Sequence, residues 1–232
     1  MSKHSRPQKL LAEFAGTFAV VLVSAGAPVV AAPGSLAVAI AYGAAYGASV
    51  AALGRISGGH FNPAVTVAHW TTHRLGLIDT LLYAAAQLGG ASAAAYALRL
   101  PVPASDAAVA ALLAPPALAS GVTRGPAMLI EAAMTFALVL ALWATIAGRA
   151  RPRYWLAGIA AGIVVAAASF AGTPYTGGAM NPARAFGPAL AAAQWAYQPV
   201  YWIGPLAGGV AAAFLYDLLF RRTPVVHPQT AL

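Results

Sequence analysis

One short stretch occurs twice in this chain and limits what it can fold into. Ser57-Gly58-Gly59-His60-Phe61-Asn62-Pro63-Ala64 returns as Thr176-Gly177-Gly178-Ala179-Met180-Asn181-Pro182-Ala183. A pair of glycines tolerates positive φ and close backbone approach, so each copy opens as an unusual extended turn. Asn followed by Pro then reads as a helix start, with Asn at the N-cap and Pro at the first helical position. The apolar residues that follow, roughly 62–72 and 181–192, are too few to cross a bilayer, which takes about 20. Each copy is therefore expected to dip inward as a loop and return as a half-helix. A lone Asn-Pro would be a surface turn opening a helix. Two copies in a very apolar chain are different, because irregular backbone at membrane depth persists only where protein buries it or it lines a wet cavity. The duplication points to a pore.

Composition agrees. Of 232 residues, 60% are hydrophobic and 8% charged, against about 25% charged in an ordinary soluble domain. The net charge of +8 would suggest nucleic acid as partner of a soluble protein. Here the basic residues cluster at span ends, so membrane topology accounts for them and no nucleic-acid partner is expected. There is no cysteine, hence no disulfide framework and no thiolate metal site. Neither a Ser/His/Asp arrangement nor a phosphate loop is present, so no enzyme activity and no cofactor is expected. His69 and His73 stand one helical turn apart, but Trp70-Thr71-Thr72 between them lacks the Glu of a zinc protease. Packing or headgroup contact is expected for both, and no metal.

Six full spans are expected, at about 9–30, 36–54, 78–99, 126–147, 154–172 and 198–220, each near the ~20 residues a tilted helix needs. Lys3, Arg6 and Lys9 before an apolar run, with Ala25-Gly26-Ala27 after it, have the outline of a signal peptide. The run continues to Val30 and contains Glu13, so it is read as the first span. The repeat reaches beyond the motif: Glu13, Thr17 and Phe18 return as Glu131, Thr135 and Phe136, and Gly89-Gly90 as Gly208-Gly209. All keep nearly the same offset of about half the chain. The expected organisation is one all-α channel domain: a half-repeat over 9–100, a connecting loop over 101–125, a second half-repeat over 126–220 and a short tail over 221–232. Three spans per half make the repeat inverted. In this topology Lys3, Arg6, Lys9, Arg55, Arg74, Arg149, Arg151, Arg153, Arg221 and Arg222 fall on one side. Only Arg99 and Arg124 fall on the other, and Arg184 lies within the second re-entrant segment. By the positive-inside rule both termini are cytoplasmic. Trp155, Trp195 and Trp202 are expected near the membrane interfaces, as aromatic belts are.

The two Asn-Pro-Ala motifs, the paired Glu13 and Glu131, and Arg184 directly after the second motif resemble the aquaporin, or major intrinsic protein, family, in particular its bacterial water-channel members. The resemblance covers nearly the whole chain. It implies six transmembrane helices with two re-entrant half-helices meeting near the midplane, one pore per subunit of a homotetramer, and a place in the cell (inner) membrane. It implies pore motifs at Asn62, Pro63, Ala64, Asn181, Pro182 and Ala183. Glu13 and Glu131 would then accept bonds from the re-entrant loops as scaffold. His60 would stand on the cytoplasmic approach, as a loop strut or as a contact for the permeant molecule.

Counting from the motifs as the family does puts an outer selectivity filter at Tyr42, Ser169, Gly178 and Arg184. Strict water channels usually carry His where this chain has Ser169; Ser169 and Gly178 are both small, so a constriction that is wider and less polar in its donors is expected. Glycerol facilitators usually carry Asp after the filter arginine, where this chain has Ala185, and Tyr201-Trp202 resembles the water-type aromatic pair. The expected function is a passive channel for water and for small neutral solutes such as glycerol, hydrogen peroxide or ammonia. A glycerol-facilitator-type channel is the alternative within the family. Outside it, a secondary active transporter would share the inverted repeat and would couple protons through Glu13 or Glu131. A purely structural membrane protein would have no need of Arg184 beside a re-entrant loop.

Overall fold

The apolar segments form six long helices and the motif segments two short ones in the computed structural model, which describes residues 4–101, 107, 111, 113–146 and 152–220. In chain order these are α1 (Arg6–Val30), α2 (Leu36–Ser57), α3 (Pro63–Thr71), α4 (Leu77–Arg99), α5 (Arg124–Ile146), α6 (Tyr154–Thr176), α7 (Pro182–Ala192) and α8 (Gln198–Phe220). No strand occurs among the described residues. The long helices run 22 to 25 residues and are apolar enough to span a membrane. The short ones, of 9 and 11 residues, reach only part of the way. The protein is thus an all-α, multi-pass membrane protein. The tail over 221–232, Asp106, and the basic residues Lys3, Arg149, Arg151, Arg221 and Arg222 lie outside the described residues.

Three helices extend furthest past their expected limits, each for a local reason. α1 starts at Arg6 because the Ser5 N–H donates to the Gln8 side chain at 2.8 Å, closing the first turn. α2 runs to Ser57, where Gly58 turns left-handed (φ 107°) and its N–H closes on the Gly54 carbonyl. α6 continues through Pro174 to Thr176, because only one N–H is lost and the Gly177 N–H still reaches the Thr173 carbonyl.

The halves interlock. α1 packs on α4 and α5 on α8, while α3 lies against α8 and α7 against α4, so each half-helix rests on the opposite half. The central seam is α2 against α6. Gly43 and Gly47 face Gly162 and Gly158 there, and a Cβ on any of the four would collide with the facing carbonyl. Large apolar side chains such as Leu81, Leu129 and Ile163 point outward, each more than 60% exposed, as lipid-facing positions should. Trp155 and Trp195 are exposed as well. At one end lie Arg6, Lys9, Arg55, Arg74 and Arg153, with Arg6 and Arg74 paired to Asp79 and Asp217. At the other, Arg99 and Arg124 bond the carbonyls of Ala191 and Ala196. The first is called the basic end below.

Candidate functional site

Each re-entrant loop has buried backbone N–H groups that no helix hydrogen bond satisfies. A buried glutamate accepts from them in each half. Glu13, fully buried on α1, accepts from the Ser57 hydroxyl (2.6 Å), the N–H groups of His60 (3.1 Å) and Phe61 (2.7 Å), and the Gln87 amide (2.7 Å). Glu131 on α5 accepts from the Thr176 hydroxyl (2.7 Å) and the N–H groups of Ala179 (2.9 Å) and Met180 (2.6 Å). Ser57 and Thr176 in turn take the N–H of Gly59 and of Gly178. No cation pairs with either glutamate among the described residues. Donors surround both carboxylates and hold them in place.

The loops then bend sharply enough to put two non-glycine residues, Phe61 (φ 48°) and Met180 (φ 56°), in the left-handed region. That bend turns the carbonyls of Phe61 and Met180 towards the opposite loop. The Asn62 amide donates to the Met180 carbonyl at 2.9 Å, and the Asn181 amide donates to the Phe61 carbonyl at 2.8 Å. The side-chain oxygens of the same asparagines cap the half-helices, Asn62 at Ala64 N–H and Asn181 at Ala183 and Arg184 N–H. Pro63 and Pro182 occupy the first helical positions, and Ala64 and Ala183 are fully buried behind them. Two helix N-termini thus face each other at the centre, cross-linked by their own caps. Each carboxamide has two hydrogens, and one is committed to the opposite loop.

Two tyrosines one turn apart on α2 tie both loops to one helix. Tyr46 donates to the His60 carbonyl (2.7 Å) and Tyr42 to the Ala179 carbonyl (2.8 Å). A second pair follows the repeat, Tyr83 on Ser57 and Tyr201 on Thr176. Beyond Tyr42, away from the basic end, opens a vestibule of about 170 Å³ lined by Tyr42, Ser169, Thr173, Gly177 and Arg184, with Pro28 and Val38 as apolar wall. Arg184 lies 5.5 Å from the Tyr42 ring and donates to the Gly177 carbonyl at 3.2 Å, so it is held inside the protein and does not snorkel. Gly178 is left-handed (φ 58°), and a Cβ there would sit 3.0 Å from the Ser169 carbonyl. Glycine therefore lets the loop lie against α6. The hydroxyl of Ser24, buried on α1, lines the same vestibule with no hydrogen-bond partner among the described residues.

A cavity of about 380 Å³ opens at the basic end. His60 lies on it, its Nδ1 3.1 Å from the Thr66 hydroxyl, together with His69. His73 does not join them: it sits exposed in a left-handed turn (φ 59°) after α3. No cluster of three metal-ligating side chains exists among the described residues.

Sequence reasoning missed Gln87 as a fourth partner of Glu13, the α2 tyrosine pair, and Ser24. The one available signal was the spacing of Tyr42 and Tyr46 on a single helical face.

Comparison with known proteins bears on the whole chain. The profile of the family described as "Major intrinsic protein" matches residues 1–216. Aquaporin TIP4-4 of Zea mays is 42% identical over 187 residues, covering 81% of this chain and 72% of that protein. The lens fiber major intrinsic protein of Oryctolagus cuniculus is 39% identical over 227 residues, covering 96% of this chain and 85% of that one. The X-ray structure of the aquaglyceroporin from Plasmodium falciparum superposes with a TM-score of 0.81 over 93% of this chain and 97% of that chain. At 20% sequence identity, that likeness speaks to the fold alone. With its duplicated half-helices capped across each other and its sequence matched over residues 1–216, the chain belongs to the major intrinsic protein family.

Proposed function

We propose that this protein is a passive transmembrane channel that conducts water and small neutral solutes such as glycerol, hydrogen peroxide and ammonia. The observation that carries the reading is the cross-capped pair of half-helix N-termini at Asn62 and Asn181, with a vestibule on either side. Each N-terminus bears about half a positive elementary charge. A permeating water places its oxygen against the second hydrogen of each asparagine amide and turns its own protons outward. Proton hopping along the file is thereby interrupted, and cations meet two like-signed dipoles, as is general for aquaporin-type pores.

Tyr42, Ser169, Gly178 and Arg184 form the outer filter, and Glu13 and Glu131 are its scaffold. The donor sets around those glutamates argue against a proton-coupled transporter, because neither carboxylate is left to carry a proton between the two sides. Asp79 and Asp217 are engaged with Arg6 and Arg74. The basic end faces the cytoplasm, by the positive-inside rule, in the cell (inner) membrane. The chain assembles as a homotetramer in lipid, each subunit with its own pore.

Reconstituted vesicles shrunk by sucrose, then by glycerol, test the reading. Water efflux well above that of protein-free vesicles is expected, followed by reswelling as glycerol enters. Vesicles no faster than the protein-free control would overturn it.

Arg184→Val supplies a sharper check on cation exclusion. A fixed unit charge about 5 Å from a permeating cation, at an effective dielectric constant of about 20, contributes roughly 3 kcal/mol of barrier. The variant is expected to raise proton leak about tenfold or more, with a measurable sodium leak. An unchanged leak and an unchanged solute profile would contradict a filter role for Arg184.

A further inference from the structure

The cavity at the basic end holds a feature that the outer filter does not explain. His60, on the extended loop, and His69, on α3, stack ring on ring with centroids 4.0 Å apart and planes 24° from parallel. Tyr83 meets His60 edge-on at 5.3 Å, and Trp143 leans on His69 at 4.3 Å. Arg74 lies over Trp143 at 5.6 Å and is itself fixed by two bonds to Asp217, at 2.8 and 2.6 Å. The ion pair thus clamps the tryptophan, the tryptophan backs His69, and His69 backs His60.

The hydrogen bonds also fix which nitrogen of each ring is bare. His69 Nδ1 lies 2.9 Å from the Val65 carbonyl, which has no proton to give, so Nδ1 carries the hydrogen and Nε2 the lone pair. His60 Nδ1 meets the Thr66 hydroxyl, which gives its own proton to the Asn62 carbonyl and accepts from Gln87. His60 therefore also donates from Nδ1 and keeps its lone pair on Nε2, beside Gly58 on the cavity wall. Two flat rings with bare acceptor nitrogens stand where the re-entrant loop meets the cavity.

We infer that His69, stacked on His60, is a specificity-determining residue that forms a second, inner constriction at the basic end. The inference rests on the channel reading above. The stacked faces cover each other, so the pair turns its ring edges and bare acceptors to the cavity. Water, a compact double donor, exchanges its hydration there for Nε2 contacts. A polyol must thread its carbon skeleton past rings that Trp143 and Arg74 prevent from swinging aside. The small side chain of Ser169 leaves the outer filter open, and the histidine stack makes the inner mouth limit solute flux.

The test measures water and glycerol permeability per channel in vesicles holding the full chain. His69→Ala removes the ring while favouring the helix, and glycerol flux is expected to rise about threefold or more, with a smaller gain for water. His69→Phe keeps a ring without the lone pair, and it should hold glycerol at or below the wild-type flux while lowering water flux. His69→Leu retains apolar contact with Trp143 and should fall between Ala and wild type, which keeps the test sound if the Ala variant folds poorly. A conducting wild type with glycerol flux unchanged in both His69→Ala and His69→Leu would overturn this inference alone. A wild type without water flux would overturn the channel reading and the inference with it.

Discussion

Replacing Ser169 with His is expected to cut glycerol flux about tenfold or more, equivalent to roughly 1.4 kcal/mol of added barrier, while water flux falls by about twofold at most. Ser169 is buried on α6 and faces the vestibule with Tyr42 and Arg184. An imidazole there reaches from α6 into the vestibule that Ser169 shares with the Tyr42 ring and the Arg184 guanidinium, the other large groups of the proposed ring. Neighbouring aromatics do not already fill it: Phe170 and Tyr175 are 49% and 52% exposed, on the outer side of the helix. Nor does Gly178 open it, because the loop at that residue already rests on the Ser169 backbone. Paired flux measurements on the two proteins decide the matter. Near-background glycerol flux in wild type, with an almost silent Ser169→His, would show that glycerol is stopped elsewhere than at Ser169, by the rest of the outer ring or by the histidine stack.

The second large effect concerns the scaffold. Glu131→Gln swaps one acceptor oxygen for an NH₂ group that must face either Met180 N–H or Ala179 N–H, two donors with nothing between them. A buried donor left unpaired costs about 1–3 kcal/mol, and the charge-assisted bonds lost add to it. The folded form should therefore be lost at clearly lower temperature in detergent, and water flux should fall with the amount of folded protein. Glu13→Gln is expected to lose as much, because its NH₂ group must likewise face the His60 N–H or the Phe61 N–H. A flip of the Gln87 amide would turn its Oε1, which has no hydrogen-bond partner among the described residues, to the new NH₂ group, but the backbone N–H stays unpaired. Thermal unfolding of the two variants side by side checks this. A clear loss in one variant and none in the other would contradict the assigned network.

Much of this architecture is legible in the chain itself, because its strongest signals are local. The Asn-Pro pairs give two half-helices capped as a short-range reading requires, and the run of Ala, Gly and large aliphatics gives six spans. Span ends are less legible. The fifth span, α6, passes its expected end through Pro174, because a single missing N–H near a helix end is tolerated when the next turn closes. The positive φ of Phe61 and Met180 has no local signature, since neither residue prefers that conformation. It follows from each carbonyl being drawn to an asparagine from the other half of the chain. The histidine stack is illegible for a similar reason: His69 and His73 share a helical spacing, but α3 ends after Thr71 and the actual partner is His60, across the N-cap.

Water permeation through a continuous passive pore is the central claim, and its temperature dependence in reconstituted vesicles tests it most directly. Stopped-flow light scattering across a range of temperatures, run with and without an imposed proton gradient, is the measurement. The expected result is fast shrinkage with an activation energy near that of diffusion in bulk water and well below that of protein-free vesicles. Solute flux should run only down its own gradient. Uphill accumulation of solute driven by protons, or an activation energy as high as that of bare lipid, would contradict the account.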